Sequence, residues 1–487
     1  MRRLVPWWRS DSTEPLGGTQ MVLARALLAF ALAAVVGASL ARGEPAASQE
    51  LPTDLDDEAA TALPADDPAW LELQDWVSQL RGLPILRDVP RVVLPPAAFR
   101  ARQAAIYRDY LEQEDLDSAR ALMVGLGLLD SSQDLSGTLL DLRGALPIGL
   151  YDPATATLYV RSASQDDPLE RVILAHEFTH ALQDQHYRLL DLFPRPSDDP
   201  DRDLALTTLL EGDALLVQEM YRNTTLPREP EAAVTQQEAQ QRALEQVQHE
   251  IRQLVDLDRV PQPVLQEVYF PYLDGPRFIH AVLGSGPLTT WGAYGPAIAK
   301  LFANPPRSSA EILHPEKYRR GQRPQRVDFP DPAGALGGDW YLLRQSVLGE
   351  LGHELLLARY LTDTRPRDAA AGWAGNRTAV LSDGEGETAT VSETRWDSPL
   401  DAAEWADAFS DWVTARYGPY AKLVWSEQGR LVWQVPEGAL ALETRGDRTV
   451  TTTGPTVALA DRLADSLVAR SGPGLRSILG SLFVAWR

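Results

Sequence analysis

Residues 167–186 read DPLERVILAHEFTHALQDQH, and they carry the strongest structural signal in the chain. Asp167 is a favourable helix N-cap, Pro168 suits the first helical position, and Glu170 follows the cap by three residues, as in a capping box. From Val172 to Leu182 the stretch is apolar on nearly every side, which is typical of a buried helix. We therefore predict a buried helix that begins at Pro168.

A β-hairpin is predicted directly before this helix. Residues 148–151 (IGLY) and 157–160 (TLYV) have the composition of strands, and they flank a turn at Asp152 and Pro153. The hairpin leads straight into the helix, so we expect a strand to lie beside it.

Inside the predicted helix, residues 176–180 form the motif HEFTH. At about 100° per residue, His176 and His180 lie within about 40° of each other on one helix face, so both imidazoles can bind one metal ion at about 2.0–2.1 Å. Glu177 flanks that face and can take a proton from a water that attacks a carbonyl, a reaction that zinc promotes by lowering the pKa of the water towards about 7. The motif therefore predicts a zinc site with Glu177 as general base.

The alternative interpretation is a structural helix whose histidines are satisfied without a metal. Two histidines and a glutamate buried together would then carry unpaired polar groups, which is costly. Three of the seven histidines in the chain lie within eleven residues, namely His176, His180 and His186. This clustering favours the metal site.

The third metal ligand has several candidates, and His186 is one of them. It stands ten positions after His176, where the metzincin pattern HExxHxxGxxH has its last histidine. The glycine that bends the chain in that pattern is replaced here by Gln183, inside a segment of good helix formers. On an unbroken helix, His186 points about 120° away from His180. Asp184 is a further, less favoured candidate.

The favoured third ligand is Glu211, on a predicted helix from Asp203 to Tyr221. A carboxylate from a following helix is the arrangement of gluzincins, and residues 209–214 (LLEGDA) are similar to that class. Gly212 is expected to let this helix approach the motif helix closely.

Three segments together resemble a group of exported bacterial proteins of unassigned substrate that carry a gluzincin-type peptidase domain. They are residues 175–186, the EGDA run, and residues 305–318 (PPRSSAEILHPEKY). The resemblance extends from about Leu83 to Tyr318 and more loosely into the tail. It implies a zincin-like domain, peptide hydrolysis and Zn²⁺ held by two histidines and a glutamate.

One position departs from the thermolysin-like gluzincins, which place an aspartate four residues after the ligand glutamate to orient a histidine. Here that position is Leu215. Another residue must orient the histidines, and Asp184 and Asp213 are the candidates.

A hydrolase of this type also needs a donor to the oxyanion of the tetrahedral intermediate. The segment from Tyr269 to Tyr318 is dense in Pro, Gly and aromatic residues, so we expect it to be mainly loop, and it offers four candidates: Tyr272, His280, His314 and Tyr318. We predict His314, because the run HPEKY concentrates several donors.

The composition limits ligands and partners. The chain has 487 residues and no cysteine, which excludes disulfides, thiolate metal ligands and catalytic thiols. Its 46 basic and 68 acidic side chains leave a formal charge of -22, so we expect no binding to nucleic acid or anionic lipid. The oligomeric state has no signature in the sequence.

The N-terminal region predicts export to the cell envelope or beyond. Arginines precede the apolar run Ala26–Leu40 and small residues follow it, the layout of a secretory signal peptide. The alternative is an uncleaved membrane anchor, because residues 21–40 are about long enough to span a bilayer. We assign residues 1–41 to the signal or anchor, and 42–67, rich in Ala, Pro and acidic residues, to a flexible linker.

The rest of the chain is predicted to be of the α+β class. Residues 68–365 form the zincin-like metallopeptidase domain, mainly helical with a short hairpin. Residues 370–487 alternate strand and helix patterns, which indicates a C-terminal α+β domain of unknown role. Two helices are predicted between the motif region and this tail, at Glu229–Leu257 and Trp340–Leu361.

Two functions of different class are compatible with these features. The first is an exported zinc metallopeptidase that hydrolyses a peptide or protein substrate. The alternative is a non-catalytic, zinc-stabilised binding protein of the cell envelope, because the residues alone do not decide among the four candidate oxyanion donors. A third interpretation, carbohydrate binding, rests only on 13 Trp and 14 Tyr at core-like positions and ranks last.

Overall fold

The computed structural model describes residues 60–113, 115–144, 149–162, 168–193, 197–225, 260–284, 286, 292–328, 330–427 and 429–468. The predicted signal or anchor, most of the predicted linker, the N-cap Asp167 and the helix predicted at Glu229–Leu257 lie outside these residues. Within the described part, no helix is both long enough and apolar enough to cross a bilayer.

The chain has the predicted α+β architecture. Its helices, numbered in chain order, are α1 (Pro68–Arg81), α2 (Pro96–Gln113), α3 (Leu116–Leu126), α4 (Leu135–Gly144), α5 (Pro168–Tyr187), α6 (Leu189–Leu192), α7 (Pro200–Thr225), α8 (Gln262–Leu283), α9 (Tyr294–Ala303), α10 (Ser309–Leu313), α11 (Pro315–Arg319), α12 (Pro332–Leu336), α13 (Gly349–Ala358), α14 (Arg365–Ala370), α15 (Pro399–Tyr417) and α16 (Val457–Val468).

A four-stranded sheet lies in the N-terminal part. Its strands are β1 (Thr61–Ala62), β2 (Arg91–Leu94), β3 (Gly149–Asp152) and β4 (Thr157–Arg161), in the order β1-β2-β4-β3. Strands β3 and β4 form the predicted antiparallel hairpin, and β2 joins β4 in parallel. Strand β3 is at one edge of the sheet, and it contacts α5, the helix that follows the hairpin.

Helix α5 begins at Pro168 and is buried through its centre, as predicted. It packs against α7, and α7 packs in turn against α8. The apolar faces of these helices belong to one continuous core, which includes Phe178 of α5, Leu209 of α7 and Phe278 of α8. The motif helix is therefore held from several sides by residues distant in sequence.

Gly212 serves a different contact from the predicted one. It faces Gly275 of α8, not the motif helix, and a Cβ built on Gly212 would lie 2.6 Å from the carbonyl carbon of Gly275. The reason is helical geometry: Glu211 points to α5, and the next residue is rotated by about 100° around α7. The two glycines let the backbones of α7 and α8 touch.

We expect Gly212→Ala to destabilise the fold by about 1–3 kcal/mol, despite the higher helix propensity of alanine, because the added methyl group overlaps backbone that cannot rotate away. Urea denaturation of the two proteins measures this difference. The matched control is Gly352→Ala in α13, where the atoms nearest to a Cβ belong to a side chain rather than to backbone, that of Leu348 at 3.0 Å or more. Equal stability changes at both positions would contradict the expectation.

The second sheet has seven strands: β5 (Tyr341–Ser346), β6 (Trp373–Ser382), β7 (Thr388–Trp396), β8 (Lys422–Glu427), β9 (Arg430–Val435), β10 (Gly438–Arg445) and β11 (Arg448–Gly454). All its neighbours are antiparallel, in the order β5-β6-β7-β11-β10-β9-β8. Aromatic residues of α15 pack with Trp396 and Trp433, whereas Leu463 and Leu467 of α16 pack with Leu381 and Val391. Up to residue 468, the predicted alternation of strands and helices in the tail is thus confirmed.

The helix predicted at Trp340–Leu361 was wrong in its first half. Residues 341–346 form strand β5, which pairs with β6, and helix α13 begins only at Gly349. The spacing of apolar residues in this segment is compatible with a helix or a strand, and the segment forms a strand because it pairs with β6. The C-terminal sheet therefore includes a strand from the N-terminal side of residue 370.

His353 of α13 is buried between helix and sheet in its neutral form. Its Nδ1 donates to the carbonyl of Gly349 at 2.7 Å, and its Nε2 lies 3.0 Å from the hydroxyl of Thr394, which donates to it. Trp396 and Trp405 pack edge-on to the ring. Burial lowers the pKa of His353 from 6.5 to about 4.

This buried histidine predicts a loss of stability in acid. Between pH 6.5 and about pH 4, His353 is protonated in the unfolded chain but neutral in the folded chain. The free energy of unfolding should therefore fall by about 3 kcal/mol over this interval through His353 alone. Urea titrations of the wild type and of His353→Gln at several pH values isolate the contribution. Parallel pH dependences of the two proteins would contradict it.

Candidate metal centre

His176, His180 and Glu211 converge where α5 meets α7. Their side chains are buried, with residue exposures of 0%, 8% and 2%. The two Nε2 atoms lie 3.0 Å apart; that of His176 is 3.4 Å from Oε2 of Glu211, and that of His180 is 3.4 Å from Oε1. These three residues can hold a metal ion, and Glu211 is the predicted third ligand that the structure brings to the two histidines.

The separations are compatible with one shared metal ion. Ligand bonds of 2.0–2.1 Å imply ligand-to-ligand separations of about 3.3 Å at a tetrahedral centre. The two imidazole nitrogens are 3.0 Å apart, and each lies 3.4 Å from a different oxygen of Glu211. The carboxylate therefore presents one oxygen to each histidine, and one ligand atom from each of the three residues can contact the same ion.

Gln183 sets the orientation and the tautomer of His180. Its amide nitrogen donates to the carbonyl of Leu210 at 3.1 Å and to Asp213 at 2.8 Å, and both of these groups only accept hydrogen bonds. The amide oxygen must then face His180, whose Nδ1 lies 2.8 Å away and donates to it. The proton on Nδ1 leaves the lone pair of Nε2 directed at the centre.

His176 is held by helix α7. The backbone of Ala214 and the side chain of Gln218 interact with its ring, and both favour its protonated form against the larger effect of desolvation. Helix α7 therefore supplies the ligand Glu211 and also the groups that orient His176.

Burial disfavours the charged forms of the histidines and of Glu211 when no ion of opposite charge is near. Desolvation lowers the pKa of His176 well below its usual value, and His180 adds to this shift. Desolvation also raises the pKa of Glu211 well above its usual value, and the charge of Glu177 adds to the shift. A cation between two imidazole lone pairs and a buried carboxylate would relieve both costs.

Asp213 anchors this arrangement from behind. It forms a fully buried ion pair with Arg81 of α1, with the Nε atom 3.0 Å from Oδ2. The hydroxyl of Tyr294 donates to its other oxygen at 2.8 Å. Of the two aspartates considered for orienting a histidine, Asp213 has this role, and it acts through Gln183.

Asp184, the other candidate, lies in a different set of contacts. It accepts hydrogen bonds from the hydroxyl of Tyr151, the guanidinium of Arg87 and the backbone N–H of Leu189. It fixes the chain after α5 to the loop before β2, and it is not part of the metal-binding group.

Glu177 is fully buried beside the centre. One of its carboxylate oxygens, Oε2, accepts a hydrogen bond from the backbone N–H of Tyr151 at 2.8 Å, and the other, Oε1, has no partner among the described residues. Desolvation raises its pKa to about 7, against the opposing effect of the Tyr151 N–H. Gly149 makes room for it, since a Cβ there would lie 3.2 Å from the Glu177 Cγ.

His186 and His314 lie in other contacts. His186 is half-buried and donates to the carbonyl of Pro84 at 2.7 Å, so the metzincin-like alternative is not formed. His314 lies 2.6 Å from Glu350 and 3.5 Å from Glu316, and the hydrogen bond to Glu350 raises its pKa. These partners are not members of the metal-binding group, so the predicted oxyanion role of His314 gains no support from its contacts.

The sequence analysis missed Gln183 and Arg81 as contributors to the site. Gln183 had a detectable signal, because it is an amide three residues after His180, which is close to one helical turn. Arg81 had none, since 132 positions separate it from Asp213. Only the packing of α1, α5 and α7 brings this charge to the centre.

We expect Gln183→Met to weaken metal binding by about 10–100-fold, as for other residues that orient a metal-bound histidine. Methionine has a similar volume and leaves the Arg81–Asp213 pair intact, so the fold should persist. Competition with a chromophoric chelator measures the affinity, and circular dichroism checks the fold. Unchanged affinity in a folded variant would mean that the amide does not orient His180.

Comparisons with known proteins bear only on the C-terminal part of the chain. Residues 341–464 match a family model described as a domain of unknown function, DUF8575. This segment spans the seven-stranded sheet with α13 to α15 and most of α16, and it excludes the metal centre. No curated protein and no solved structure matches the chain.

Proposed function

We propose that this chain is an exported, zinc-dependent metallopeptidase of the gluzincin type. The observation that carries the proposal is the juxtaposition of the buried His176, His180 and Glu211 group with the unpartnered Oε1 of Glu177. Two imidazoles and one carboxylate are a donor set typical of catalytic zinc, which keeps one position open for substrate or water. Export rests on the signal-like run at residues 26–40.

Bound zinc supplies Lewis acidity, which lowers the pKa of water and polarises a carbonyl oxygen. Glu177 receives the proton of the attacking water on Oε1 while Tyr151 holds Oε2 through its N–H. The water oxygen forms a bond to the peptide carbonyl carbon, the C–N bond breaks, and Glu177 passes the proton to the leaving amine nitrogen. The products are an amine and a carboxylic acid, which holds the second proton of the water until it ionises.

The environment of Glu177 suits this exchange of a proton in two directions. A carboxylate whose pKa is raised to about 7 accepts and releases a proton near neutral pH more readily than an exposed one. The same burial leaves His176 and His180 neutral, the form in which imidazole binds a metal.

The proposal is tested by metal analysis together with peptide cleavage by the purified full-length chain. We expect about one zinc ion per chain, cleavage of members of a diverse peptide library, loss of cleavage on chelation, and recovery when zinc is returned. Zinc binding without any cleavage would reject the peptidase and support the alternative of a zinc-stabilised binding protein. A chain that binds no zinc would reject both.

A further inference from the structure

Strand β8 exposes an apolar edge of the C-terminal sheet. Among the described strands it pairs only with β9, and all six of its residues are exposed. Three large apolar side chains stand in a row, with exposures of 53% for Leu423, 47% for Val424 and 53% for Trp425. An edge that combines free backbone N–H and C=O groups with apolar side chains is a template for another strand.

A bulge changes which side chains of β8 share a face. The register shifts between Leu423 and Trp425, which leaves Val424 without a partner on β9. The extra residue moves the alternation of side chains by one position. Lys422 and Glu427 would lie on opposite faces of a regular strand, but here they lie on the same face, since their partners on β9 are an even number of residues apart.

We infer that β8 pairs with β8 of a second copy of this chain, around a two-fold axis normal to the sheet. Such an axis makes the strands antiparallel and keeps each face of the sheet on its own side. Directly opposed residues of antiparallel strands point to the same face. Lys422 can therefore stand opposite Glu427 of the second copy only because the bulge has placed both on one face.

In this register the strand is complementary to itself. The six opposed positions are two Lys422–Glu427, two Leu423–Ser426 and two Val424–Trp425 pairs. Opposite charges and pairs of aromatic with β-branched residues are the favourable cross-strand combinations. No ion pair joins Lys422 or Glu427 to another described residue of its own chain, so both charges are available. The inference is independent of the metal centre.

Charge exchange tests the register directly. In light scattering from about 1 to about 100 µM, we expect the wild type to dimerise with rising concentration, a range typical of small interfaces. Lys422→Glu and Glu427→Lys should each raise the dimer dissociation constant at least about tenfold, since each variant opposes like charges twice. The double exchange should restore it. Lys300→Glu, an exposed reversal on α9, is the control that should change nothing.

Two results would overturn the inference: a wild type that stays monomeric over the whole range, or a double exchange that dimerises no better than the single variants.

A crosslink supplies a second readout, because the chain has no cysteine of its own. Oxidation should join two copies of Leu423→Cys/Ser426→Cys, whose thiols face each other across the strands. Leu423→Cys alone should not crosslink, because its two copies stand three positions apart. Equal crosslinking of both proteins would also reject the register.

Discussion

Glu177→Gln is expected to abolish peptide hydrolysis while the metal stays bound. Glutamine has the shape of the native side chain, and its oxygen can still accept the N–H of Tyr151, which lies 2.8 Å from Oε2 in the native chain. It has no carboxylate to accept a proton from the attacking water, so the rate should fall by about 10²–10⁴-fold. The three residues of the metal-binding group are untouched, and metal content should remain at the wild-type level.

Cleavage of a fluorogenic peptide and metal analysis of the same samples measure the two effects. Glu219→Gln on the exposed side of α7 is a matched control, because it makes the same chemical change away from the centre. Full activity of the Glu177 variant would remove the general base from the mechanism. Loss of metal together with activity would instead assign Glu177 to the metal site itself.

Glu211→Gln is expected to have the opposite profile: it should lose the metal and keep the fold. Removing a direct ligand should weaken metal binding by more than about 100-fold, the upper range seen for residues that only orient a ligand. The metal-free variant should also be more stable than the metal-free wild type at neutral pH. The reason is that the variant no longer buries a carboxylate charge, which desolvation and Glu177 both disfavour.

Competition with a chromophoric chelator measures the affinity, and urea denaturation in the presence of excess chelator measures the stability. Glu219→Gln again controls for the loss of one negative charge on the same helix. Wild-type affinity in the Glu211 variant would show that another residue completes the centre. A destabilised metal-free variant would show that the carboxylate has a structural partner.

The parts of the site that follow from local geometry could be predicted from the residues alone. His176 and His180 share a helix face because the helical period puts them there, and the predicted start at Pro168 is confirmed. The preference for Glu211 over His186 also rested on a local argument, the lack of a helix breaker at Gln183. The structure agrees, since α5 continues to Tyr187 and His186 contacts Pro84.

Other features depended on contacts that no local pattern encodes. Gly212 was expected to face the motif helix, but it touches Gly275. The packing of the whole core determines which helix lies on that side of α7. Residues 341–346 were expected to be helical and became a strand, because an open edge of β6 was there to pair with them. His314 was chosen for its donors, and its partner Glu350 was not foreseeable.

The sequence by itself determined the α+β class, the motif helix and the identity of the residues able to bind a metal, since helical and strand periods and side-chain chemistry are local properties. Tertiary structure alone decided how those residues are used. It places Arg81 beside Asp213, and it places Gln183 between Asp213 and His180. It also introduces the bulge that puts Lys422 and Glu427 on the same face of β8. These contacts join residues far apart in the chain, and they form only when burial of the shared core offsets the entropy of ordering them.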